Sequence, residues 1–252
     1  MIKAHHTATK HPLQMTKEKD FEELYLFVRE KERRLYMDEQ VAALPMIHPY
    51  HIHFEEWQIR KRSADRLFSY LQQKEKPLSI LEVGCGNGWL IASLADIEDS
   101  LCTGIDVNTM ELEQAKRVFD KRKNLSFFKA DISSQHRLDN KYDIIIFAAS
   151  IQYFASFDLV MTAALNLLTE NGEIHILDSP FYTDNTIGKA KDRTKNYYQS
   201  IGCPDMAMHY HHHLHDSLNR YHHSVLYNPN SFVNKWLYGK NFFPWIAITS
   251  HK

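Results

Sequence analysis

Between Ser79 and Leu90 the chain reads S-I-L-E-V-G-C-G-N-G-W-L, a short apolar run that breaks into three alternating glycines. Ser79 to Val83 has the length and composition of a strand buried on both faces, as in a parallel sheet. Gly84, Gly86 and Gly88 then allow a tight turn with no Cβ atoms to obstruct a close approach, and Trp89, Leu90 and Ile91 open an apolar helical pattern behind them. Strand, glycine turn and helix N-terminus in that order make a ligand cradle with free backbone N–H groups.

The spacing of the glycines separates two uses of such a cradle. A dinucleotide fingerprint requires G-x-G-x-x-G, which seats a pyrophosphate on the helix N-terminus. Here the order is G-x-G-x-G, with Trp89 at the place of the third dinucleotide glycine. A second apolar run, Leu101 to Val107, places Asp106 twenty residues after Gly86, at a strand end where a carboxylate can accept both ribose hydroxyls of an adenosine. Asn108 with Glu111 three places on has the form of a capping box. Leu125 to Lys129 reads as a third strand before Ala130-Asp131-Ile132, and Tyr142 to Ala148 as a fourth before Ala149-Ser150-Ile151-Gln152-Tyr153-Phe154. Asn171-Gly172-Glu173 reads as a turn into a fifth, Ile174 to Asp178.

From Ser79 to about Asp178 this order resembles the class I S-adenosylmethionine-dependent methyltransferases, with Glu82 to Gly88 similar to their motif I and the segment after Tyr142 similar to motif IV. The resemblance implies an α/β, Rossmann-like fold. Its sheet is mostly parallel and seven-stranded with helices on both faces, and it carries an N-terminal helical lid and an inserted helical cap. It implies S-adenosylmethionine as cofactor, held by Glu82, Gly84, Cys85, Gly86, Asn87 and Gly88 in the first loop. Asp106 and Val107 would meet the ribose, Asp131 and Ile132 the adenine, and Phe147, Ala148 and Ser150 the region of the transferred methyl. Taken one at a time, Asp106 and Asp131 also read as ordinary turn or capping aspartates.

Composition sets the remaining bounds. A chain of 252 residues is long enough for one large α/β domain, and a formal net charge of -1 argues against a dedicated nucleic-acid binder. Cys85, Cys102 and Cys203 are odd in number and unpaired in spacing, so a reducing, cytoplasmic setting is expected. The N-terminus lacks an apolar signal core, and no run is long enough to span a bilayer.

In order, Met1 to Thr16 are polar and read as loose, and Asp20 with Glu23 as an N-cap pair opening a helix whose buried face is Phe21, Leu24, Tyr25 and Val28. Arg29 to Arg34 reads as the solvated side of that helix. A second helix is expected from about Phe54 to Gln73, with Trp57 and Arg60 either facing the cofactor or serving as core and solvated charge. The division expected is one domain, 1–252, with a lid over 1–77, a cofactor core over 78–178, a cap over 179–223 and closing strands over 224–252. Within the last segment Ser231 to Tyr238 reads as a short helix and Phe242 to Thr249 as a terminal strand at the sheet's edge or end.

The cap carries five histidines among the seven residues from His209 to His215. On a helix His209 with His213, and His211 with His215, would be neighbours. No Cys or carboxylate signature accompanies them, so a closed zinc site is not indicated and no metal is expected. His211, His212 and Tyr153 are the candidates for a group that takes an acceptor proton or anchors the acceptor. The function expected is methyl transfer from S-adenosylmethionine to a small-molecule acceptor, with neither nucleic acid nor membrane as partner. The alternatives are a cofactor-binding protein without transferase activity, a dinucleotide-dependent oxidoreductase, and a metal-binding protein.

Overall fold

The computed structural model describes residues 17–74, 76–134, 140–231 and 243–249, with residues 17–20 as backbone only. The expectations for Met1 to Thr16 and for a helix over 231–238 therefore lie outside the described residues, Ser231 excepted. Helices α1 (Lys17–Lys31), α2 (Asp38–Ala43) and α3 (Phe54–Gln72) precede the sheet. The core then alternates β1 (Ser79–Val83), α4 (Trp89–Leu94), β2 (Leu101–Asp106), α5 (Thr109–Val118), β3 (Leu125–Lys129), β4 (Tyr142–Ala148), α6 (Phe157–Leu167) and β5 (Leu168–Leu177). After it come β6 (Phe181–Tyr182), α7 (Asp184–Ser200), β7 (His213–Leu214), β8 (His223–Tyr227) and β9 (Trp245–Thr249).

Seven strands form one sheet in the order β3-β2-β1-β4-β5-β9-β8, parallel except for β9, which runs antiparallel to both neighbours. Period-two alternation sorts its residues between two layers. Ile80, Ile144 and Ile146 face Leu67 and Leu71 of α3, Leu90 and Leu94 of α4 and Leu112 of α5. Leu81, Val83, Ile145 and Phe147 face Val160, Met161 and Ala164 of α6. Chain order reverses between β1 and β4, and a crevice outside the strands' carboxyl ends at such a switch point is where an open α/β sheet binds ligands.

Four boundaries differ from the sequence reading. Helix α1 begins at Lys17, so Asp20 lies inside it and does not cap it. Asn171 to Glu173 is no free turn: β5 is continuous from Leu168, and the register against β4 steps from Tyr142↔Leu168 to Ile144↔Glu173, which absorbs the intervening residues as an irregularity. Strand β9 is not at the edge, because β8 pairs along its outer side. The cap is helical only in α7. Residues Pro204–His209 and His215–Arg220 are 3-10 turns, and Phe181–Tyr182 pairs with His213–Leu214 in a separate two-stranded sheet. Helix α1 lies against the first of these turns, with the Phe21 and His209 rings 5.2 Å apart, so the N-terminal segment and the insertion meet.

Candidate cofactor and acceptor site

The glycine loop is fixed from its own backbone. Gly84 N–H and Cys85 N–H both donate to the Ile105 carbonyl, at 2.8 and 3.0 Å, which ties the end of β1 to β2. All three loop glycines have positive φ, and two are also required by packing. A Cβ on Gly84 would lie 2.6 Å from Ser150 Cβ, and one on Gly88 2.5 Å from the Phe127 ring. Gly86 differs, since a Cβ there would point at the Glu111 carboxylate, 3.1 Å from Oε2.

Around this loop the acidic side chains are engaged by backbone. Glu82 Oε2 accepts from Ile91 N–H at 2.9 Å within the first turns of α4, and burial pushes its carboxyl up to about 8 against that bond. Asn87 Oδ1 accepts from Trp89 N–H at 3.4 Å. Cys85 is buried, and burial pushes its thiol up, so it is no nucleophile. Asp106 accepts from Gly86 N–H with Oδ2 and from Asn108 N–H with Oδ1, both at 2.8 Å, with half-buried Val107 between them. Its carboxyl is raised, by burial first, with these N–H groups opposing.

The capping box at α5 is only half formed. Asn108 Oδ1 accepts from Glu111 N–H at 3.0 Å, but Asp106 already holds the Asn108 N–H that Glu111 would have taken. Glu111 turns inward instead and is buried, and its Oε2 lacks a partner among the described residues, as does Asn108 Nδ2. Burial pushes Glu111 up to about 7, opposed by Arg29 and reinforced by Asp106. Asp131 accepts from Ser133 N–H at 2.8 Å and so turns its own loop, while Ile132 is buried in the core.

Of the motif IV residues, Ser150 donates from Oγ to the Val83 carbonyl at 2.6 Å and joins the ends of β4 and β1. Ala148 is half-buried. Phe147 is fully buried, with Phe154 edge-on at 5.8 Å, so its ring belongs to the core while its backbone lies near the end of β4. Trp57 is core as well, its Nε1 donating to Tyr36 Oη at 2.9 Å and its ring against Trp89 at 5.3 Å.

Beyond the ends of β4 and β5 a cavity of about 540 Å³ opens among α1, α3 and α7. Ala149 and Asp178, at φ 53 and 50, hold the left-handed conformation at its floor, a feature that concentrates at functional sites. Arg29, Arg34, Arg60 and Arg193 line it, as do Tyr153, Tyr197, Tyr198 and Tyr210. Two of its carboxylates are spent internally. Arg34 holds Glu56 with both terminal nitrogens, and Arg60 donates to Glu56 Oε1 at 3.0 Å. Burial alone would raise Glu56, but these guanidinium groups hold it at about 2. Glu32 lies 3.0 Å from Arg34 Nε and accepts from Tyr197. Asp178 accepts from Ser63 at 2.7 Å, and burial pushes its carboxyl up against Arg60.

Tyr153 lines this cavity, but His211 and His212 do not. They border a neighbouring groove with Lys191 and Met208, where His212 Nε2 meets Thr194 Oγ1 at 2.9 Å. His213 is buried on the Ile151 carbonyl at 3.0 Å. The helical pairing of these histidines fails because the chain from Tyr210 to Leu214 is extended. Among the described residues no group of three or more His, Cys, Asp or Glu is placed to hold a metal, and no helix is long and apolar enough to cross a membrane. Arg29 and Arg34 are further corrections, for the charged run Arg29 to Arg34 is not merely solvated. The signal was present in the phase of α1, since Arg29 and Glu32 extend the face of Phe21, Tyr25 and Val28.

The cradle suits a nucleoside cofactor by its own inventory. It presents a buried acceptor, Glu111 Oε2, without a partner among the described residues, over a glycine with no side chain, and polar groups left unpaired in a buried place call for polar partners. The profile of the methyltransferase-domain family matches residues 74–233. Malonyl-[acyl-carrier protein] O-methyltransferase of Acetivibrio thermocellus is 32% identical over 116 residues, 45% of this chain and 40% of that protein. The enzyme of the same name from Halalkalibacterium halodurans is 25% identical over 128 residues, 47% of each. The chain thus spans about half the length of the curated relatives it matches. The magnesium protoporphyrin IX methyltransferase of Synechocystis PCC 6803 with bound SAM superposes with a TM-score of 0.58 at 11% identity, over 95% of this chain and 99% of that one. The plantazolicin methyltransferase BpumL, in complex with pentazolic desmethylPZN analog and SAH, gives 0.56 at 16% identity, over 94% and 99%. The order of the seven strands, the glycine loop closed by Asp106 and the matched profile agree, and the chain belongs to the methyltransferase-domain family, with the fold of its class I S-adenosylmethionine-dependent members.

Proposed function

We propose that the acceptor is a small molecule bearing a carboxylate, and that the product is its methyl ester. The observation that carries this reading is the set of unspent donors in the cavity. Glu32 and Glu56 are engaged, whereas Arg193 at the rim makes no ion pair among the described residues and Arg29 comes no closer than 4.0 Å to Glu32. The hydroxyls of Tyr153, Tyr198 and Tyr210 have no hydrogen-bond partner among the described residues, and burial raises all three, which keeps them protonated donors. Tyr153 thereby acts as an anchor and not as a base. No histidine lines the cavity among the described residues.

S-adenosylmethionine supplies an electrophilic methyl group with a neutral thioether as leaving group, so a carboxylate oxygen needs alignment and no proton transfer. An alcohol or phenol would need a base, and the cavity's carboxylates are paired or pushed toward protonation. A donor that engages one carboxylate oxygen leaves the other open, while helices α1 to α3 and the insertion after β5 would exclude water. Arg60, whose charge reaches both Glu82 and Asp178 beside its bond to Glu56, would pair with the methionyl carboxylate of the cofactor. About 540 Å³ suits a metabolite-sized acceptor, within the roughly 300–1,000 Å³ of small-molecule sites. The relatives named malonyl-[acyl-carrier protein] O-methyltransferase transfer, by that name, a methyl group to an oxygen of a malonyl group, which supports the reading. The test is a panel of aliphatic and aromatic carboxylic acids beside their primary amides, alcohols and amines, scored by S-adenosylhomocysteine release. Turnover confined to acids supports the proposal, and turnover of amines or phenols with none of the acids refutes it.

A further inference from the structure

Glu111 stands on the third residue of α5, a position where a glutamate ordinarily reaches back to the N-cap N–H. That N–H belongs to Asp106 here, and the displaced side chain lies buried over Gly86 with Oε2 unpartnered among the described residues. Asp106 faces the same space from the end of β2, while Arg29 and Tyr25 approach it from α1 and interact electrostatically with Glu111. No ion pair joins Arg29 to Glu111 among the described residues, so the carboxylate is balanced but not neutralised by contact. The space between the two carboxylates is floored by a residue with no side chain. An ionised carboxylate is acceptor-only with about four lone-pair sites, so Glu111 Oε2 lacks a donor and Asp106 has room for one beside the N–H groups it already accepts. Two adjacent hydroxyls are the chemistry that fits.

We propose that Glu111 is a second ribose-binding carboxylate: it accepts one hydroxyl of the cofactor's ribose, and Asp106, already clamped to the Gly86 and Asn108 N–H groups, accepts the other. In that arrangement Asp106 sets the shape of the loop and Glu111 supplies the acceptor that the loop has not consumed. The inward turn of Glu111 then follows from the half-formed cap, because the bond that denies it Asn108 N–H also aims it at the cradle. Arg29 balances the pair from α1.

Isothermal titration of the full chain with S-adenosylhomocysteine and with its 2′-deoxy and 3′-deoxy analogues tests this without turnover. Glu111→Gln is expected to weaken the parent ligand about tenfold. Removing the hydroxyl that Glu111 receives should weaken wild-type protein by a similar factor but cost the variant nothing further, whereas the other deoxy analogue should still lose affinity in both. Parent affinity within twofold of wild type in Glu111→Gln overturns the proposal. So do losses that multiply with both analogues, because Glu111 would then act elsewhere, as by holding α1 through Arg29. Glu111→Met, of similar reach and without an acceptor, must reproduce the same selectivity pattern if Gln unsettles the loop. Wild-type protein that binds none of the three ligands would overturn the cofactor assignment itself, a result distinct from a failure of Glu111 alone.

Discussion

Replacing Asp106 with Ala should damage the fold and the cofactor site together. The carboxylate accepts two backbone N–H bonds at 2.8 Å, one from the middle glycine of the loop and one from the N-cap of α5. Hydrogen bonds to a charged acceptor contribute about 1.5–3 kcal/mol each, and both N–H groups would be left without a protein partner. Against this stands relief of a carboxyl that burial has already pushed upward. The net expectation is a loss of about 2–4 kcal/mol in stability. Asp106→Asn keeps one acceptor oxygen and turns an NH2 toward the other N–H, so about half that loss is expected. Urea titration at fixed pH reads both as a fall in midpoint at constant slope. Cofactor affinity should fall as well, because Gly86 is no longer held. An Asp106→Ala protein within about 0.5 kcal/mol of wild type, the usual range for a neutral surface change, would refute the view that this side chain ties the loop.

Gly88→Ala should destabilise by about 3 kcal/mol, combining a positive φ with a Cβ placed 2.5 Å from Phe127 and 3.0 Å from Ala115, and thermal melting would show it; an unchanged melting temperature contradicts the packing. Glu82 has its carboxyl raised from 4.5 to about 8, so its contribution is fully present below pH 4.5 and lost as pH rises through 8, amounting to about 5 kcal/mol at most. Buried His175 and His213 are pushed the other way and oppose this slope, so the readout is the stability difference between Glu82→Gln and wild type, which should shift toward the variant from pH 5 to pH 8.5. Tyr153→Phe should raise the acceptor's KM several-fold at unchanged cofactor affinity, and a variant indistinguishable in KM would remove the anchor.

Most of the core was legible because its signals are local. The glycines of the first loop, the aspartates after two strands and the apolar runs of β1 and β4 each declare a turn or a buried strand within a few residues. What escaped depends on contacts between distant segments. Phe147 belongs to an apolar run whose alternate residues face opposite layers, and which of them α6 covers is decided only once it has packed. Glu111 reads as a capping residue until Asp106, five places earlier, takes its N–H. Arg29 and Arg34 sit in a charged run that resembles any solvated helix end, and it is Glu32, Glu56 and the cap tyrosines that make them walls of a cavity. The histidines misled in the opposite direction: their spacing has meaning only on a helix, and the chain there is extended.

If the arginine- and tyrosine-lined cavity presents a carboxylate oxygen for methylation, the product is a methyl ester. Incubation of the protein with methyl-labelled S-adenosylmethionine and a pool of small acids, followed by mild alkali, measures it most directly. Esters release their label as volatile methanol under alkali, and N-, C- and ether O-methyl groups keep it. Labelled small molecules whose label becomes volatile are expected, and label that stays bound to the product after alkali would rule out ester formation.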